Sequence, residues 1–257
     1  MLSFNILGGL EVRIDGVECT PTAPKVRSVL ALLLLRSNHT VSQESIFDWL
    51  WRGQAPRSAA TTTQTYIYQL RALFERESAG SEQLLITRPT GYTLTIEDGQ
   101  LDTIVFARMC AEGRALLERN KPGEASLKLA GALSLWRGRP LADICLDLEA
   151  SPDIAHLEEL HLRALELRIE ADFRLGNQRE LIAELRGLVV AHPMNEWFHA
   201  RLISALNHCG RRAEALQAYH NLRQVLSAEL GLDPTPEVQN LQRQVLTGND
   251  VRLLAAA

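Results

Sequence analysis

Two stretches decide the fold of this chain: ATTTQTYIYQLRALF at residues 60–74 and LLITRPTGYTL at residues 84–94. In the first, apolar and small side chains recur at every third or fourth position, which is the period of one face of an α-helix. We predict a helix over residues 58–77 whose inward face is Ala60, Thr63, Ile67, Leu70 and Phe74. In the second, apolar segments flank RPTG, which predicts two strands joined by a tight turn with glycine where a positive φ costs least.

The opposite face of the predicted helix has a different chemistry. It carries uncharged hydrogen-bonding groups of modest length, namely Thr61, Thr62, Thr65, Tyr68 and Gln69, with Arg71 at the flank. Threonine can hydrogen-bond a base edge and offer a methyl group to thymine, and glutamine can pair with adenine. A solvated helix face more often carries Glu and Lys. From periodicity alone, an ordinary solvated surface is the more frequent explanation of such a polar face. The alternative is DNA recognition through Thr61, Thr65, Tyr68 and Gln69.

The residues before this helix predict strands and two further helices. Apolar residues alternate with polar ones near the N-terminus, and Asp15-Gly16 is a hairpin signal. Pro24 stands where a helix begins, and Ser42 suits the N-cap of the next helix. The expected inward faces are Val26, Val29, Leu30, Leu33 and Leu34 in the first helix and Ile46, Phe47, Leu50 and Trp51 in the second.

Several cations lie where a winged helix would contact DNA. Arg88 is at the tip of the predicted hairpin, where an arginine can enter a narrow minor groove. Lys25 and Arg27 begin the first helix and Arg57 precedes the third, so each can contact phosphate, as can Arg71 beside the polar face. Each cation alone is ordinary surface. Together with the order of the elements, they predict a DNA-binding winged helix.

The chain after residue 98 is predicted to be helical. Helices are indicated at residues 102–119, 122–137, 153–175, 178–191, 195–209, 211–229 and 235–247. Gly176 and Gly210 each join two helices and lie 34 residues apart, the period of the tetratricopeptide repeat. We therefore predict an α+β winged helix-turn-helix domain at residues 1–98, an all-α tetratricopeptide-like helical-repeat domain at 99–247 and a flexible tail at 248–257.

Charge and composition narrow the possible functions. The net charge of −4 over 257 residues does not by itself indicate nucleic-acid binding. Residues 20–93 nevertheless carry eight Lys or Arg against five Asp or Glu, whereas residues 98–257 carry 18 against 22. A weakly basic segment joined to an acidic one fits a DNA-binding domain followed by a regulatory domain, although a mixed solvated surface is the commoner cause.

The sequence also predicts a location. The N-terminus has neither the basic start nor the cleavage site of a secretory signal, and the longest apolar run, residues 29–35, is too short for a bilayer. The scattered cysteines form no CxxC pair, which argues against a zinc site and a disulfide framework: Cys19, Cys110, Cys145 and Cys209. We expect a cytoplasmic, nucleoid-associated protein with no membrane partner.

Two other classes of protein are compared with the sequence, an enzyme and an adaptor. No HExxH, GxSxG or GxGxxG sequence occurs, and His156 and His161 are five residues apart, off the i, i+4 spacing of a helical metal pair. We therefore expect no enzymatic activity, catalytic residue, metal site or cofactor. A helical-repeat adaptor whose N-terminal domain does not read DNA remains the alternative, and specific binding of duplex DNA separates it from an activator.

Over almost its whole length the chain resembles the Streptomyces antibiotic regulatory protein family in its short form. The family's OmpR-like winged helix is matched by FNILGGLEVRIDG, PKVRSVLALLLLRSNHTVSQESIFDWLW, ATTTQTYIYQLRALF and LLITRPTGYTL. Its bacterial transcriptional activation domain is matched by SLWRGRPLAD, LEELHLRALELRIEADFRLG and GRRAEALQAYHNLRQVLSAELGLDPTPEVQNLQRQVL. The hairpin and the last stretch are the specific parts of this resemblance.

The resemblance implies roles for the predicted site. The exposed positions of the family's recognition helix match Thr61, Thr65, Tyr68, Gln69 and Arg71, and its wing arginine matches Arg88. Relatives often carry Ser-Arg where this chain has Tyr68-Gln69, which removes a cation from the DNA face. The family further implies a transcription activator of a secondary-metabolite (antibiotic) gene cluster. Such an activator binds direct repeats near promoters as a dimer or side-by-side pair and recruits RNA polymerase through its sigma factor.

Overall fold

The computed structural model of the protein describes residues 2–77, 84–144 and 151–248. The chain divides into two compact units, one formed by Met1–Arg119 with Leu127–Leu165 and the other by Asn120–Ser126 with Glu166–Ala257. Cys145 and the predicted tail after Gly248 lie outside the described residues.

The first unit begins with the predicted hairpin. Strands β1 (Leu2–Asn5), β2 (Glu11–Ile14) and β3 (Val17–Glu18) form an antiparallel sheet in that order. Asp15 and Gly16 have φ angles of 51° and 83°, as a type I′ two-residue turn requires. Phe4 pairs with Val12 across the strands, and both side chains are fully buried on one face of the sheet.

The helices that follow are α1 (Pro24–Leu35), α2 (Gln43–Trp51) and α3 (Ala59–Glu77). Pro24 occupies the first turn of α1, where its missing N–H group is not needed. The Ser42 hydroxyl accepts the amide N–H of Ser45 at 3.0 Å, which confirms the predicted N-cap of α2. Helix α1 is buried on more than one face because α2, α3 and a later strand all pack against it.

Parts of the predicted helix faces are wrong. Ala60 is exposed, whereas Ala59 is buried, so the inward face of α3 begins one position earlier than predicted. Successive helical residues are about 100° apart, and the line through the buried Thr63 and Ile67 therefore passes through Ala59. Helix α2 meets the core through Ile46 and Leu50, and the predicted inward positions Phe47 and Trp51 are wrong, since both side chains are only partly buried.

A short strand that the sequence did not predict, β4 (Thr40–Ser42), precedes α2. It pairs antiparallel with β6 (Gly91–Leu94), which also pairs with β5 (Leu85–Arg88), giving the order β4-β6-β5. So short a strand shows too few alternations for its period to be recognised. The predicted hairpin is present, and β4 joins it to the start of α2.

Residues beyond the predicted boundary at residue 98 complete the first sheet. The buried carboxylate of Asp102 accepts the amide N–H groups of Ile6 and Leu7 at 2.8 Å each through its Oδ2 atom. The amide of Phe4 donates to the carbonyl of Gln100 at 2.7 Å. Independent folding of residues 1–98 therefore stays a prediction, and a cut at that boundary would remove these bonds.

We expect Asp102→Ala to lower the free energy of unfolding by about 1–3 kcal/mol, because two buried N–H donors would lose their acceptor. The loss is offset in part, since burial raises the pKa of Asp102 and so opposes its charged form. Urea unfolding of the full chain measures this effect. The matched control is Asp98→Ala at an exposed position, and equal stability of the two variants would contradict the role given to Asp102.

The predicted later helices are confirmed, most of them to within one residue. They are α4 (Asp102–Glu118), α5 (Pro122–Leu133), α6 (Pro152–Leu175), α7 (Gln178–Ala191), α8 (Glu196–His208), α9 (Arg212–Leu230) and α10 (Pro236–Thr247). The exception is α5, which ends at Leu133 and not at the predicted residue 137. The amides of Leu135 and Trp136 bond to the third residue before them, and that of Arg137 bonds to the carbonyl of Leu7 at 2.7 Å. No described helix is long and apolar enough to cross a membrane.

The predicted 34-residue repeat is visible in the backbone of the second unit. Gly176 and Gly210 have φ angles of 86° and 74° in the turns after α6 and α8. The amide of Gly176 bonds to the third residue before it at 3.2 Å, and that of Gly210 does the same at 2.9 Å. The residue after each glycine bonds to the fifth residue before itself, as in a Schellman turn. The two helical hairpins therefore share one turn, which supports the helical-repeat character.

Candidate nucleic-acid interface

The exposed face of α3 is the one that the sequence predicted, except that Thr62 is half-buried. Thr61, Thr65, Tyr68 and Gln69 are all exposed, and 71% of Tyr68 is accessible to solvent. Gln64 is exposed among them and was missed, although the helical period places it one turn after Thr61. We refer to these five residues as the polar face of α3.

The other side of α3 fixes the orientation of the polar face. Ile67, Leu70 and Phe74 are each at most 1% exposed. The Phe74 ring meets Phe4 of β1 edge to face, with 5.9 Å between the ring centroids. Rotating α3 would therefore withdraw large apolar side chains from the core, so the polar face is held outward.

Hydrogen bonding decides what each group on the polar face can offer. The Thr65 hydroxyl donates to the carbonyl of Thr61 at 3.1 Å, which leaves its lone pairs and its methyl group available. Within the described part of the chain, no hydrogen bond engages the side chain of Tyr68 or Gln69. The polar face thus presents a methyl group, a phenol and an amide, which are groups that read base edges or pack on sugar and phosphate.

The hairpin of β5 and β6, which we call the wing, is held against α3 and β4 by specific contacts. The Arg71 guanidinium donates to the carbonyl of Leu85 at 2.9 and 3.0 Å and to the Thr87 hydroxyl at 2.7 Å. Gly91 lies so close to β4 that an added Cβ atom would overlap the carbonyl oxygen of Val41. Arg71 therefore positions the wing beside the polar face, a role that sequence analysis did not assign to it.

Besides Arg71, two more of the predicted DNA-contacting cations have partners inside the protein. The Lys25 ammonium donates to the carbonyl of Leu50 at 2.7 Å, near the end of α2. Arg27 donates to the carbonyl of Pro21 at 3.1 Å and forms an ion pair with Asp143. Phosphate contact by Lys25 or Arg27 stays a prediction, and it would require these cations to share or exchange their partners.

Arg57 and Arg88 differ from these two cations. Both are exposed, and neither forms an ion pair with a residue in the described ranges. Arg57 lies just before the start of α3. Arg88 is the last residue of β5, the strand that Arg71 holds against α3. These two arginines are the cations best placed to meet phosphate or a minor groove.

These features define a DNA-binding winged helix-turn-helix protein: three helices, an outward polar face on the third helix and an adjacent two-stranded wing. A helical-repeat segment follows them in the chain. Family comparison agrees in both parts. The model for the C-terminal domain of transcriptional regulatory proteins matches residues 18–94, and the model for the bacterial transcriptional activator domain matches residues 101–246. The chain belongs to the Streptomyces antibiotic regulatory protein family of transcription activators.

Similar proteins support this membership. Regulatory protein DnrI of Streptomyces peucetius is 38% identical over 250 residues, which cover 95% of this chain and 92% of DnrI. Regulatory protein AfsR of Streptomyces griseus is 30% identical over 97% of this chain, which spans only 25% of AfsR. The structure of Mycobacterium tuberculosis EmbR in complex with a low affinity phosphopeptide superposes with a TM-score of 0.93 at 30% identity, over 97% of this chain and 66% of the EmbR chain.

Proposed function

We propose that the polar face of α3 enters the major groove of promoter DNA while the wing lies over the neighbouring minor groove. The observation that carries the proposal is the outward polar face itself, with its uncharged side chains beside a fixed wing. Thr61, Thr65, Tyr68 and Gln69 would face bases, and Arg57 and Arg88 would contact phosphate or the minor groove. Lys25, Arg27 and Arg71 would act mainly by holding α1, α2 and the wing in place.

We further infer that the protein works in the cytoplasm, on the nucleoid. Its target is proposed to be direct repeats upstream of the promoters of a secondary-metabolite gene cluster. Two chains would bind there side by side and recruit RNA polymerase through its sigma factor. Family membership supports these finer statements, together with 38% identity to regulatory protein DnrI over 95% of this chain.

Sequencing the DNA fragments that the full chain retains from a sheared genome tests this function. We expect enrichment of one motif, repeated in the same orientation and located upstream of promoters. Recovery of all sequences in proportion to their abundance would contradict sequence-specific binding and would favour the helical-repeat adaptor instead.

Arg57→Ala and Arg88→Ala should each weaken binding to all duplex sequences alike. Losing one phosphate contact releases about one counterion fewer, so the negative slope of log K against log salt should become about one unit less steep. Fluorescence anisotropy at several salt concentrations measures the slope. Arg179→Ala, at an exposed arginine of α7, is the control that should keep the parent slope. Slopes unchanged in the Arg57 and Arg88 variants would refute their assignment.

A further inference from the structure

The exposed positions of α3 that the structure describes, from Ala60 to Glu75, carry no positive charge. The cation within that range, Arg71, is half-buried and directs its guanidinium to the wing, where it bonds to Leu85 and Thr87. Arginine and lysine are the side chains that most often pair with guanine in the major groove, through its O6 and N7 atoms. The polar face therefore lacks the commonest means of reading guanine.

Two glutamines flank the threonines of the polar face. Gln64 and Gln69 are both exposed, and no hydrogen bond to a described residue engages the amide of either side chain. Because successive helical residues are about 100° apart, the two side chains lie about 140° apart around the axis, with Thr61 and Thr65 between them. Along the axis they are about 7.5 Å apart, which is about two base-pair steps of roughly 3.4 Å.

A glutamine amide and a threonine methyl group together complement an A·T base pair. The amide can donate to N7 of adenine and accept from its N6 amino group at the same time. Guanine presents two acceptors instead, which would leave the amide oxygen without a donor. The hydroxyl of Thr65 already donates to the carbonyl of Thr61 at 3.1 Å, and its methyl group can pack on the methyl group of a thymine.

We infer that α3 selects A·T base pairs, with Gln64 and Gln69 each pairing with an adenine and the threonines between them packing on thymine methyl groups. The inference rests on the proposed function, in which the polar face lies in the major groove. It adds Gln64 to the base-reading residues and names the bases that this face accepts. It also separates specificity from affinity, because the cations beside the face, Arg57 and Arg88, lie outside it and contact phosphate or the minor groove.

Selection of bound duplexes from a random DNA library by the full chain tests the inference. We expect a motif with A·T pairs at two positions about two base pairs apart, and a G·C pair at either position should weaken binding about tenfold. Gln64→Arg should exchange one adenine of the motif for guanine, since an arginine pairs with O6 and N7. The matched control is Gln217→Arg, which adds the same charge at an exposed position of α9 and should select the parent motif.

A second variant, Gln64→Ala, measures specificity apart from affinity and folding. Alanine is favourable at an exposed helical position, so the melting temperature should not fall. The preference for A·T at the base pair read by Gln64 should disappear, whereas the slope of log K against log salt should stay that of the parent chain. A less steep slope with an unchanged base preference would show that Gln64 contacts phosphate, and would overturn its assignment.

The results of the selection distinguish this inference from the proposed function. A motif that is enriched by the parent chain and stays the same in both Gln64 variants would overturn the inference, while specific DNA binding would stand. G·C pairs in the parent motif at the positions that respond to these substitutions would overturn it too. Enrichment of no motif by the parent chain would overturn both the inference and the proposed function.

Discussion

Leu70→Ala is expected to lower the free energy of unfolding by about 2–5 kcal/mol, whereas Gln69→Ala next to it should leave that free energy nearly unchanged. Leu70 is fully buried, so truncation removes apolar contacts and leaves a cavity in the core behind α3. Gln69 is exposed, and its loss creates no cavity. Thermal and urea unfolding of both variants measure this difference.

The same pair should differ in the opposite sense in DNA binding. Gln69→Ala removes the proposed base contact and should cost about 1–3 kcal/mol of binding free energy at one or two base pairs. Leu70→Ala should bind DNA less well only to the extent that it is unfolded. Equal destabilisation by the two substitutions would show that the faces of α3 have been assigned wrongly.

Gly91→Ala is expected to cost about 3 kcal/mol of stability, at the upper end for overpacking. A Cβ atom at this position would overlap the carbonyl oxygen of Val41 and lie 2.8 Å from the Cα atom of Ser42. Backbone atoms cannot rotate away as a flexible side chain can, so β6 would have to separate from β4. The displaced wing should also bring Arg88 out of position and weaken DNA binding beyond the loss of folded protein.

Gly187→Ala in α7 is the matched control for Gly91→Ala. Nothing lies within 4 Å of a Cβ atom built at Gly187, and alanine favours a helix over glycine by about 1 kcal/mol. This control should therefore be as stable as the parent chain or more stable. A Gly91→Ala variant that melts with the parent chain and binds DNA normally would contradict the close packing of the wing on β4.

Local patterns explain why much of the winged helix could be predicted from the sequence. The turn at Asp15-Gly16 and the N-cap at Ser42 depend on residues within a few positions of each other. The inward and outward faces of α3 follow from a period repeated over several turns, and the errors are single positions near its start, Ala60 on the inward face and the missed Gln64 on the outward face. Long, periodic elements are therefore the ones for which sequence reasoning succeeded.

Contacts between distant parts of the chain explain most of what could not be predicted. Arg27 pairs with Asp143, 116 residues away, and Asp102 holds amide groups more than 90 residues before it. Nothing in the local sequence of Arg27 distinguishes a phosphate-binding cation from one neutralised by a remote carboxylate. Charge and position predicted DNA contact, whereas the tertiary fold supplied internal partners for Lys25 and Arg27.

The polar face of α3 is proposed to read DNA sequence. The most direct test combines Thr65→Ala, Tyr68→Ala and Gln69→Ala in one variant and measures its binding to the natural operator and to a panel of single-base operator variants. We predict a melting temperature close to that of the parent chain, and operator affinity weakened roughly 100-fold if each contact contributes about 1 kcal/mol. Discrimination within the panel should be lost as well. Unchanged operator affinity and unchanged base preference in this folded variant would contradict the recognition-helix assignment.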